Sequence, residues 1–253
     1  MQKIGIIGGS GLSDYPLFKI SKTITTTNSY GQPSGPLLSG KIGNTDVVFL
    51  PRHGKGHTIP PSQVNYRANI IALKEAACTH IIATTACGSL RENHQRGDFV
   101  VLDQFIDFTK RRINTFYEKF EPGNPEHTPM AEPFDHQLRN IIKEVCQSKN
   151  IPYHPKGTVV TIEGPRFSTK AESNLFRMFG ADVINMSIAT ECALAKEAKI
   201  PYAAIALVTD FDCWKEDEEE VSWHIVLEEF KNNVDVMQQI IYNTIQKINS
   251  AES

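Results

Sequence analysis

No Cys-x-x-Cys pair occurs in the chain, and its five cysteines, at 78, 87, 146, 192 and 213, are an odd number spread along 253 residues. Neither a disulfide framework nor a zinc site is expected from that pattern, and a reducing, cytoplasmic setting is. Long apolar runs are missing too: no uncharged stretch reaches the roughly 20 residues of a membrane span. The opening MQKIGIIGGSGL carries one Lys and an apolar run too short and too Gly-rich for a signal peptide. Charge of one sign is not in excess, with 26 Lys and Arg against 29 Asp and Glu and a net charge of -3. Neither nucleic acid nor an anionic membrane is therefore expected as a partner. Any anion site must be local, built from a few placed donors. Internal repeats and low-complexity tracts are also absent.

What is present is an ordinary globular composition, 40% hydrophobic and 22% charged. Its length allows one large domain, expected here over residues 1–253, with a sizeable core. Apolar, β-rich runs recur at 3–8 (KIGIIG), 46–52 (DVVFLPR), 80–87 (HIIATTAC), 98–106 (DFVVLDQFI), 156–164 (KGTVVTIEG), 182–187 (DVINMS) and 202–210 (YAAIALVTD). Apolar spacing near 3.6 predicts helices at 64–78, 136–150, 170–180, 190–200 and 222–250, the last in one or two pieces. Residues 117–133, with four Pro and one Gly, predict a long loop. The alternation points to an α/β fold with a mostly parallel sheet, in which sites lie at the carboxyl ends of strands.

The polar oddities sit at those ends. GGSG at 8–11 offers backbone N–H groups and the Ser10 hydroxyl to an anion, although neither the dinucleotide nor the P-loop fingerprint is matched. PRHGKGH at 51–57 adds the planar fork of Arg52 and the imidazoles of His53 and His57 as further donors. Two histidines at that spacing also suit a metal, but no H-E-x-x-H motif or nearby acid accompanies them, so none is expected. ATTACGSL at 83–90 supplies the Thr85 hydroxyl and the Ala86 N–H, with Cys87 read as a buried thiol. In TIEGPRFST, at 161–169, Phe167 is either a stacking ring or a core residue. Ser187, after Met186, is either a helix cap or an anion donor at a helix N-terminus. The last strand ends in TDFDCW, where Asp210 and Asp212 share a face if strand alternation persists. Such a set suits a ligand that is anionic at one end and carries a proton-accepting or N–H-bearing ring at the other.

Together GIIGGSGL, PRHGKGHTIPPSQVNYRANI, TTACGSLRE, GDFVVLDQFID, TIEGPRFST, ADVINMS and TDFDCWKE resemble the trimeric purine nucleoside phosphorylases, specifically their methylthioadenosine phosphorylase branch. The resemblance runs from about residue 3 to about residue 230. It implies a single α/β domain with a mixed, partly barrel-like sheet flanked by helices. It also implies phosphorolysis of a nucleoside, a homotrimer with sites near subunit contacts, inorganic phosphate as co-substrate, and no cofactor or metal. Carried over by position, Ser10, Arg52, His53, Thr85, Ala86 and Ser187 would hold phosphate. Met186 would meet the ribose and Phe167 the base, while Asp210 and Asp212 would bond N7 and the 6-amino group. His57, Val226 and Leu227 would approach the 5' end, and His127 would reach a neighbouring subunit's 5' pocket. The favoured substrate is 5'-methylthioadenosine. The alternative is a phosphorylase of adenosine or of the 6-oxopurine nucleosides inosine and guanosine. A fold-sharing protein that binds nucleosides without cleaving them is the reading from another class. Two features depart from the family pattern. Trp223 stands where relatives carry a small aliphatic residue, and Ile188-Ala189-Thr190 replaces the usual Thr-Val-Pro.

Overall fold

The computed structural model describes residues 2–9 and 18–250. Its centre is β1 (Lys3–Gly8), which pairs in parallel with β4 (Thr45–Pro51) on one side and β5 (His80–Ser89) on the other. All three are apolar over most of their length, as strands covered on both faces must be. β5 is the branch point. Along most of its length it pairs in parallel with β11 (Tyr202–Asp210), and its last two residues pair antiparallel with β10 (Val183–Asn185). From β10 the sheet continues through β9 (Thr158–Ile162) to β7 (Gln104–Phe108). The short strands β6 (Phe99–Val101) and β8 (Tyr153–His154) extend it beyond β11. The result is a mixed, eleven-stranded sheet in which parallel pairings outnumber antiparallel ones.

Two apolar layers cover the sheet. On one face α1 (Tyr66–Glu75) and α4 (Ile188–Glu197) bury Ile70, Leu73, Ile188 and Leu194 against Leu50, Ala83 and Val208. On the other, α2 (His136–Ser148) and α5 (Trp223–Ser250) bury Leu138, Ile142, Met237 and Ile241 against Phe49, Ile82 and Ile205. A smaller cluster under α3 (Lys170–Met178) joins Phe176 to Leu90, Phe211 and Trp214. Thr169 and Glu172 cap α3 reciprocally, which fixes the loop before it. Residues 117–133 form an exposed loop whose only pairing among the described residues is one bridge, Glu121 to Asn124.

The reading of the elements needs two corrections. The run at 98–106 is two strands, because the chain changes partner at Leu102 and Asp103: Leu102 N–H donates to Ala204 and Asp103 N–H to Gly157. β2 (Phe18–Ile24) and β3 (Leu37–Ile42) were not anticipated, since β2 is an edge strand with five exposed residues and no apolar run to announce it. The last helix is one piece of 28 residues. No helix among the described residues is long and apolar enough to cross a membrane.

Candidate active site

The carboxyl ends of β1, β4, β5, β10 and β11 converge. Arg52, just past β4, is buried, and its own N–H donates to Gly8 O at the end of β1. Its guanidinium donates through Nε and Nη2 to both carboxylate oxygens of Glu191, and through Nη1 to Thr84 O at 2.8 Å. Three of its five N–H groups are thus spent on orientation, and two remain on the fork. Glu191, fully buried in α4, also accepts from Tyr202 Oη at 2.9 Å. Burial alone would push the Arg52 guanidinium down, but Glu191 holds it above its ordinary value.

His53 corrects an expectation. Its Nδ1 lies 2.9 Å from Ile59 O, and a carbonyl can only accept. Burial, and then the charge of Arg52, push its pKa down to about 3. His53 is therefore a neutral ring whose one proton is on Nδ1. Its Nε2 is left with a lone pair, an acceptor and not the donor that the residue type suggests. His57, its partner in the loop, is also lowered, by burial and by Arg52.

A buried relay orients the next donors. Thr161 Oγ1 donates to Asn185 Oδ1 at 2.8 Å, and Asn185 Nδ2 donates to Thr85 Oγ1 at 3.2 Å. Asn185 Oδ1 also accepts the Ser187 N–H at 3.4 Å. Ala86, beside Thr85, is the one partly exposed position in the interior of β5, where a methyl leaves room against the backbone. Ser187 is the N-cap residue of α4, yet its hydroxyl makes no capping bond. Thr161 Oγ1 instead accepts the Ala189 N–H at 3.0 Å. The Ser187 hydroxyl therefore stands at a helix N-terminus, where the dipole favours an anion. Thr190 is buried with its hydroxyl 3.5 Å from Arg112 Nη1.

At the far end of β5 the two acids are buried, each at most 6% exposed. Strand alternation does not unite them. A register shift separates Val208 from Asp210, and Asp212 adopts φ 50, outside any strand. They are joined by a turn, in which the Asp212 N–H donates to Asp210 Oδ1 at 2.8 Å. Thr209 Oγ1 donates to Asp210 Oδ2 at 2.8 Å. Burial pushes both carboxyls up, and Asp210 adds to the effect at Asp212. Ser168 and Ser173 pull Asp212 partway back, although neither hydroxyl completes a well-aligned hydrogen bond. Trp214 Nε1 donates to Ser89 O at 2.7 Å under the Arg177 guanidinium, which pins the turn to the end of β5.

Gly88 is where the acids meet the sheet. A Cβ there would stand 2.8 Å from Asp210 Oδ1 and 3.0 Å from Ile184 Cγ2. Gly88→Ala is expected to lower stability by about 1–3 kcal/mol and to displace Asp210. Thermal unfolding checks this, and an unchanged melting temperature contradicts it.

The remaining candidates are placed unevenly. Met186 offers its carbonyl to Tyr66 Oη at 3.3 Å and lies against Gly164 (φ 64), whose missing side chain makes the room. Phe167 is 39% exposed on the loop before α3. That loop touches the acid turn, since Cys213 Sγ donates to Ser168 O at 3.2 Å. Val226 and Leu227 are half-buried in the first turn of α5, which reaches the site through a Trp223–His57 ring contact. His127 is exposed in the 117–133 loop, edge-on to Phe120, and no described contact joins it to this chain's site. Ser10 lies outside the described residues. Cys87 is fully enclosed with its thiol pushed up, and Cys213 is pushed up to about 11, both mainly by burial. Neither is a nucleophile.

Sequence reasoning missed the orienting residues: Glu191, Asn185, Thr161, Tyr202 and Gly88. Glu191 did leave one trace, as the lone acid among apolar and small residues in IATECALA. Arg112 was missed as well. Its side chain is enclosed, donates to Tyr66 Oη and Glu163 O, and pairs with Glu163.

The phosphorylase superfamily profile matches residues 3–247. The S-methyl-5'-thioadenosine phosphorylase of Danio rerio is 52% identical over 249 residues, covering 97% of this chain and 89% of the relative. The methylthioadenosine phosphorylase of Schistosoma mansoni with adenine bound superposes with a TM-score of 0.92 at 46% identity, covering 99% of this chain and 93% of that one. A variant of that protein, described as adenosine/methylthioadenosine phosphorylase and solved with methylthioadenosine, gives 0.91 at 45%, over 99% and 92%. On profile, identity and fold alike, the chain belongs to the methylthioadenosine phosphorylase branch of the phosphorylase superfamily.

Proposed function

We propose that this chain catalyses phosphorolysis of 5'-methylthioadenosine to adenine and 5-methylthioribose 1-phosphate. The observation that carries the reading is a charge split along one strand. Arg52 bonds to Thr84 and the acid pair packs on Gly88. Four residues of β5 separate those points, about 13 Å at strand spacing. That span suits an anion at one end, a pentose between, and a purine at the other.

In this reading, phosphate lies on the two remaining N–H groups of Arg52, the Thr85 hydroxyl once it turns from Ala86 O, the Ala86 N–H and Ser187, with Ser10, which follows β1 in the sequence. His53 Nε2 accepts a hydrogen bond from the phosphate's own hydroxyl, which keeps its proton and turns an unprotonated oxygen toward C1'. Held beneath C1', phosphate is both nucleophile and counter-charge to the oxocarbenium-like sugar. The bond to the purine breaks as phosphate oxygen approaches, and the electron pair leaves on the base. Asp210, kept protonatable by burial, delivers its proton to N7 as that charge develops. Asp212 accepts from the 6-amino group, which a 6-oxopurine lacks. Met186 lies along the ribose and Phe167 over the base. His57, Val226 and Leu227 line the 5' end, and His127 serves a neighbouring subunit's site in a homotrimer. The reaction needs no metal or organic cofactor, and the chain is assigned to the cytoplasm.

Adenosine is a second substrate in this account, favoured by the dual name of the Schistosoma mansoni relative. A panel of methylthioadenosine, adenosine, inosine and guanosine, compared by kcat/KM with phosphate present, tests base reading. The 6-amino nucleosides are expected to lead the 6-oxo ones by at least ~100-fold. Equal rates on inosine would remove Asp212 from its role.

A further inference from the structure

Three rings touch in series at the edge of the anion pocket. His53 and His57 stack with centroids 4.2 Å apart at 25°, and Trp223 meets His57 in a tilted contact at 4.6 Å and 43°. The inner ring reaches the pocket, and the outer one begins α5. The loop between them is thinly held. His57 sits at φ 58 and is preceded by Gly54 and Gly56, which also have positive φ. Its own N–H reaches Gly54 O at 3.4 Å only. A non-glycine residue in that region is strained and needs outside support. The loop closes through Ile59 N–H to His53 O at 3.0 Å. Trp223 is the one ring of the three supplied by a different element, yet it is 51% exposed, so it is no core residue. The first turn of α5 places Val226 and Leu227 three and four residues on, sharing its face.

We infer that Trp223 is a positioning residue of the phosphate pocket: through His57 it holds the His53 ring so that Nε2 faces the anion, tying the start of α5 to phosphate binding. This rests on the phosphorolysis reading for its kinetics. Two consequences separate it from a wall that merely touches the nucleoside. Removing the ring weakens phosphate more than methylthioadenosine, and filling the pocket moves the tryptophan.

Both are measurable with Trp223→Ala, Trp223→Leu and Trp223→Phe in the full chain. Ala and Leu are expected to raise the KM for phosphate by roughly two- to tenfold, the size of one lost aromatic pair, with a smaller rise in the KM for methylthioadenosine through His57. Phe keeps a ring and restores the wild-type phosphate KM, which a purely bulk role would let Leu do as well. In the nucleoside-free chain, titration with inorganic phosphate is expected to change tryptophan emission. That change should vanish in Trp223→Phe, where only the buried Trp214 remains. An unchanged phosphate KM in both Ala and Leu overturns the inference. So does a defect confined to the methylthioadenosine KM, or an emission change that survives undiminished in Trp223→Phe. Failure of the wild type to release base would defeat the phosphorolysis reading alone, because the emission titration needs only phosphate.

Discussion

Asp210→Ala is expected to lower turnover on methylthioadenosine by about 100- to 10,000-fold, the usual worth of a positioned proton donor. The reason is the imbalance at the base end. Both carboxyls are buried, burial pushes both up, and only Asp210 accepts from two donors that fix its oxygens, Thr209 Oγ1 and the Asp212 N–H. A purine leaving as its anion needs a proton, and an acid with a raised pKa can hold one nearer neutrality. Two companion results distinguish acid catalysis from lost packing. A nucleoside whose purine is already alkylated at N7 needs no proton there, so the defect should shrink on it. In the wild type, the rate should hold at low pH and fall as pH rises through the raised folded pKa. Stability follows the same sign. A carboxyl raised by folding binds its proton more tightly in the folded chain. Its contribution is therefore fully present below the unfolded value of 3.8 and lost as pH rises through the folded one. At neutral pH, Asp210→Asn should thus unfold no earlier than wild type while remaining slow. Wild-type turnover in Asp210→Ala would sink the assignment.

Glu191→Leu is expected to cost about 3–5 kcal/mol of stability, a fall in melting temperature of roughly 10 °C, because it strands the buried Arg52 charge. Glu191 is wholly enclosed, meets Arg52 with both oxygens, and takes a third hydrogen bond from Tyr202. Removing both charges is a different matter. Arg52→Met with Glu191→Leu should recover much of the lost stability, since replacing a whole buried pair by apolar groups is often neutral. The double variant should still fail to use phosphate. This pattern, in which stability returns and activity does not, is what an ion pair kept for anion binding predicts. A double variant as unstable as the single one would mean that Glu191 serves the fold in some other way.

These two sites show how differently the sequence speaks at different scales. The central strands were legible because KIGIIG, HIIATTAC and YAAIALVTD are apolar on both faces, as buried parallel strands require. β2 was not, because in this exposed edge strand Phe18, Ile20 and Ile24 are separated by Lys, Ser and Thr and make no such run. Donor types at the strand ends were legible as residues. Their states were not. The His53 tautomer depends on a carbonyl six residues on, and the Arg52 orientation on an acid 139 residues away. The acid pair was found for a partly wrong reason. The i, i+2 spacing suggested one strand face, but the bulge before Asp210 and the left-handed Asp212 replace strand geometry with a turn. The pair still meets at one place, because Gly88 makes room for both.

The most direct test is the phosphate dependence of base release. The full chain, given methylthioadenosine, should form adenine and a pentose 1-phosphate in equal amounts when phosphate is present. It should form neither in phosphate-free buffer. Base release without phosphate, or tight binding of the nucleoside with no release in its presence, would contradict the account.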